Sequence, residues 1–128
     1  MTTLTHTLLV TLIGIASVTL IDSIGSIASR RLQFNYGWLT ILSLSVYTCT
    51  GYFIGEESNL NLVFAANCII GFYDATIGWK LSIILRANTG MTDEEKAVLN
   101  LKARLFIMFI IAFLFGYIGF LLSTKHLL

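Results

Sequence analysis

Residues 67–86, NCIIGFYDATIGWKLSIILR, narrow most sharply what this chain can fold into. The stretch is long and apolar enough to cross a bilayer, yet it carries Asp74 near its middle and Lys80 further on. Asn67, Gly71, Asp74, Gly78 and Ser82 recur at helical spacing and share one face, while Ile, Leu, Phe and Trp fill the others. A carboxylate turned to lipid is costly, so an aspartate inside a span faces a bundle interior or a wet cavity and marks a candidate site. A lone helix cannot supply that interior. The stretch therefore predicts a bundle of spanning helices around a small, polar seam.

The rest of the chain agrees. Only 12% of its residues are charged, against about 25% in soluble domains. Its mean hydropathy is +0.84. Four apolar segments, residues 8–29, 38–55, 62–85 and 105–122, each reach about the 17–25 residues of a spanning helix. The first lacks a positive leading region and has Arg30 and Arg31 at its far end, so it reads as a retained helix and not a signal peptide. Tyr36 and Trp38 open the second as an interfacial pair. The expected fold is all-α: one polytopic membrane domain, residues 1–128, with four transmembrane helices in the lipid bilayer of the cell or inner membrane. Arg30, Arg31, Lys80, Arg86, Lys96, Lys102 and Arg104 belong to or border the first and third connections, and Lys125 lies on the other side. The excess of basic residues puts those connections in the cytoplasm and both termini outside.

The chain also repeats itself. Ile24, Gly25, Ser29, Leu32, Asn35 and Gly37 fall, without a gap, on Ile77, Gly78, Ser82, Leu85, Asn88 and Gly90. Further on, Gly51-Tyr52 answers Gly116-Tyr117. The expectation is two parallel two-helix repeats, 8–55 and 62–122, related by an axis along the membrane normal. The second holds an inserted cytoplasmic segment, 91–102. There Thr92 and Glu95 match a capping box, so a short surface helix is expected. In this register Asp74 meets Ile21, with Asp22 one position off.

Asp74 is the leading ion- or ligand-binding candidate, and Asp22 is the second. Asp22 has a structural alternative, a carboxylate capped by Ser26 or paired with an interfacial arginine. Asn67, Tyr73 and Ser82 are further candidates: Asn67 and Ser82 share the Asp74 face, and for Asn67 and Tyr73 a hydrogen bond between helices is a better explanation than a ligand. Lys80 is six positions from Asp74 and turned away from it. Its stem snorkels to the headgroups, or it bridges to Asp22. Gly14, Gly25, Gly71 and Gly78 permit close helix packing, and Gly51, Gly55, Gly116 and Gly119 predict a second tight contact between the second and fourth helices.

Other chemistries lack their residues. Cys49 and Cys68 are isolated in apolar runs, and His6 and His126 are both near the ends. No metal spacing, cofactor motif or catalytic triad is present, so neither an enzyme nor a bound metal or cofactor is expected. A net charge of +1 gives no field to attract nucleic acid. Two classes of function remain. One is transport or permeation of a proton, small cation or small solute by a homo-oligomer, through a polar site around Asp74. The other is a non-catalytic membrane subunit or scaffold bound to a partner membrane protein.

Overall fold

The computed structural model describes residues 2–85 and 101–125. Four helices make up the bundle: α1 (Thr3–Leu32), α2 (Thr40–Glu57), α3 (Leu60–Ile84) and α4 (Leu101–Lys125). A 3₁₀ turn, Tyr36–Leu39, leads into α2, and no strand occurs among the described residues. The expected short helix after Thr92 lies outside the described residues. Three helices, Thr3–Leu32, Leu60–Ile84 and Leu101–Ser123, are long and apolar enough to cross a membrane. The helix α2 is shorter, at 18 residues, and ends on Glu56 and Glu57.

The helices run past the apolar segments because their polar flanks carry helix signals. Thr2 caps α1, its hydroxyl accepting from the Thr5 N–H at 3.1 Å, and Asn59 caps α3 by accepting from the Leu62 N–H at 3.1 Å. Gln33 ends α1 in the left-handed conformation, with φ 57°.

Successive helices are antiparallel. Asn67 meets Ala112 and Gly71 faces Met108 across α3 and α4, while His6 meets Glu57 across α1 and α2. The helices α1 and α3 are consequently parallel, as are α2 and α4. A Cβ on Gly51 would strike the Gly116 carbonyl, one on Gly119 the Thr48 carbonyl, and one on Gly55 the side chains of Ser123 and Phe120. These glycines let the backbones of α2 and α4 touch, the contact their sequence positions predict. Val18, Tyr47, Ile70 and Ala112, one from each helix, form a fully sealed core cluster. Leucine, isoleucine and phenylalanine dominate the outer surface, from Leu12 and Ile24 to Phe106 and Ile110.

Candidate functional site

Within α3 the helical ladder changes at the aspartate. Asp74–Gly78 forms one π turn. The Trp79 N–H bonds back to the Asp74 carbonyl, five residues away, instead of to the carbonyl of Ala75. The Ala75 carbonyl accepts from Arg104 Nε of α4 at 3.1 Å. The guanidinium also lies over the Trp79 ring, 4.7 Å from its centroid.

The seam between α1 and α3 brings Asp22 and Asp74 together, their carboxyl groups within hydrogen-bonding reach of each other. Gly78 makes the room: a Cβ there would collide with Asp22 Oδ2 and with Asp74 Oδ1. Asp22 is buried, at 4% exposure, whereas Asp74 is partly exposed. The Tyr47 hydroxyl of α2 donates to Asp74 Oδ2 at 3.3 Å. The pair is thus assembled by three helices, and α4 contacts the turn that carries Asp74 through Arg104.

The other candidates have separate positions. Asn67 lies two turns before Asp74, fully buried. Its amide nitrogen donates to the carbonyls of Tyr47 at 3.4 Å and Ala112 at 3.1 Å, pinning α3 to α2 and α4. Its Oδ1 is buried and takes no hydrogen bond from a described residue. The Tyr73 hydroxyl is 2.6 Å from Thr19 Oγ1 and ties α3 to α1. Ser82 is buried two turns beyond the pair and donates to the Trp79 carbonyl at 2.7 Å. Lys80 is exposed, apart from the carboxyls, and among the described residues no ion pair joins it to Asp22. Ser26 does not cap the Asp22 carboxylate. Its hydroxyl donates to the Asp22 main-chain carbonyl, as serine hydroxyls in helices commonly do.

Other buried hydroxyls of α1 behave like Ser26. Thr7 donates to Thr3 O, Thr11 to Thr7 O, and Ser29 to Ser26 O. Each commits its proton to its own helix, which leaves only acceptor capacity for anything inside the bundle.

Sequence reasoning missed Tyr47, Thr19 and Arg104. Tyr47 carries a signal: a tyrosine in the middle of an apolar run is out of place in an interfacial belt. Arg104 counted only as a cytoplasmic charge, and the π turn that gives it a partner has no residue signature of its own.

No family model matches this chain, and neither a curated protein nor a solved structure matches it.

Proposed function

We propose that this chain is a small integral membrane protein that moves a proton or small cationic species through a polar site built on Asp22 and Asp74. The observation that carries this reading is the acid pair itself, one carboxyl sealed and the other partly open. Two carboxylates in contact repel unless a proton or a cation lies between them. Elsewhere in the bundle interior, buried hydroxyls and Asn67 Oδ1 add acceptors, which suit a species that is positive or donates hydrogen bonds.

In this reading all four helices span the cell or inner membrane. At 1.5 Å per residue α2 reaches about 27 Å, close to the ~30 Å hydrocarbon thickness. Arg30 and Arg31 end α1, while Lys102 and Arg104 start α4. Glu56 and Glu57 sit at the opposite end, beside His6. That asymmetry supports termini on the outer side. The parallel contact of α2 with α4 supports duplication of a two-helix hairpin. It sets Gly51 against Gly116 and Gly55 against Phe120, in the register of the Gly-Tyr match. The partly open Asp74 supports a homo-oligomer, because a second copy over it would remove a carboxyl from lipid.

A second reading, a non-catalytic scaffold, is favoured by one feature. Asn67 and the Thr19–Tyr73 contact tie the helices together as structural glue does. Reconstitution into proteoliposomes separates the two. Asp74→Asn and Asp22→Asn are expected to assemble normally and to lose cation- or pH-driven flux. Normal folding with every flux unchanged rejects transport. Loss of assembly in Asp74→Asn favours the scaffold, since a buried partner then loses its pair.

A further inference from the structure

The two aspartates sit on matching faces, and the match changes register at the π turn. Before the turn, Gly14 corresponds to Ala66, Val18 to Ile70, and Asp22 to Asp74, with the Gly and Val pairs buried in both helices. After it, Gly25 corresponds to Gly78 and Ser29 to Ser82, again buried in both. The second set is offset by one more residue than the first. The sequences read the same way: Asp22-Ser23-Ile24-Gly25 in α1 stands against Asp74-Ala75-Thr76-Ile77-Gly78 in α3. Ala75 is the surplus residue. An α-helix absorbs a single surplus residue by opening one π turn, which keeps the flanking faces in phase and leaves one carbonyl without its usual N–H. Here that carbonyl belongs to Ala75 itself, and Arg104 Nε occupies it.

We propose that Arg104 is a positioning residue for the acid pair: by capping the carbonyl of an inserted Ala75 it holds the π turn, and the turn keeps Asp74 directed at Asp22, its counterpart in the other hairpin. Asp22 and Asp74 are then two halves of one site across a pseudo-twofold axis. The core cluster has the same arrangement, because Val18 with Ile70 and Tyr47 with Ala112 are corresponding pairs. Asn67 bonds to the carbonyls of both Tyr47 and Ala112. Without Arg104 the freed carbonyl faces a low-dielectric surrounding with no donor, and a buried unpaired carbonyl is costly. The turn then relaxes and Asp74 swings from Asp22. Trp79 adds a stacking face that an amine does not use equally well. The inference rests on the acid pair being the site proposed above, but its geometry is measurable without any transport.

The test uses the full chain in membranes with Cys49→Ala and Cys68→Ala. Asp22→Cys and Asp74→Cys are joined by a short bis-methanethiosulfonate reagent, each thiolate displacing a methanesulfinate as its disulfide forms, and the yield is read by intact mass. Arg104→Gln is expected to reduce the yield to background, and Arg104→Lys to restore only part of it. Deleting Ala75 returns α3 to a regular α-helix with both faces in phase. In that background the cross-link is expected to form whether or not Arg104 is changed. An Arg104→Gln protein that cross-links normally overturns the inference. So does an equal loss with and without Ala75, which would mark Arg104 as a general structural residue. Failure of the Ala75 deletion to fold overturns it too, because the residue is then not surplus. If the cross-linking follows the expected pattern while the native-acid chain carries no flux, the positioning role stands and the transport reading falls.

Discussion

Gly78 shows how much of the site hangs on one missing side chain. A Cβ at this position meets the ends of two side chains, Asp22 and Asp74, and not a backbone. The carboxyls can swing aside while the helices stay packed. Gly78→Ala is therefore expected to keep the melting temperature near the parent value and to abolish flux in proteoliposomes, a split that a purely packing glycine would not produce. The sequence makes Asp74, Asp22 and Gly78 legible because intramembrane acids and helical spacing are both visible in one dimension. It hides Tyr47 as the donor to Asp74, because that contact joins α2 to α3 and depends on the packing of both. Its repeat register sets Asp22 one position away from Asp74, an offset that the proposed surplus residue accounts for only once the π turn is seen.

At the level of elements, the two glycine seams differ in what a methyl group would meet. On α2, a Cβ at Gly51 runs into the backbone of Gly116, which cannot rotate away. Gly51→Ala is expected to force α2 from α4 and to destabilise the protein by roughly 1–3 kcal/mol, the usual cost of overpacking. On α3, a Cβ at Gly71 finds its nearest neighbour, Ala112 Cβ, at 3.5 Å, which is ordinary contact. There the gain in helix propensity, about 0.5–1 kcal/mol for Gly to Ala, meets no opposing clash. Gly71→Ala is expected to be neutral or stabilising. Thermal unfolding in detergent compares the two, and the opposite order would refute the packing described for α2 and α4. The helices themselves were legible as apolar runs, and their ends moved outward by up to five residues where Thr2 and Asn59 supplied caps. Hydropathy alone does not carry α2, because its buried Tyr47, Thr50, Gly51 and Gly55 serve the bundle interior and its terminal glutamates lower the average.

For the whole molecule, the charge asymmetry fixes an expected orientation. Arg31→Cys is expected to be labelled only from the cytoplasm and Glu56→Cys only from outside, after Cys49 and Cys68 are replaced. Labelling of both from one side would remove α2 as a span. The proposed homo-oligomer rests on the acid pair and not on the size of the chain. Asp22 is sealed by its own chain, but Asp74 is partly exposed on a molecule whose outer surface is dominated by leucine, isoleucine and phenylalanine. A carboxyl open to hydrocarbon carries a cost of about 2.5–3.5 kcal/mol on insertion scales, which an enclosing neighbour removes. Native mass measurement in lipid nanodiscs is expected to give a dimer or higher assembly. Replacing the titratable side chain with Asp74→Leu is expected to weaken that assembly, because the monomer then no longer exposes a polar group to lipid. A protein that remains monomeric at every concentration yet sustains flux would show that water, entering from one side of the bundle, covers Asp74 in place of a second copy.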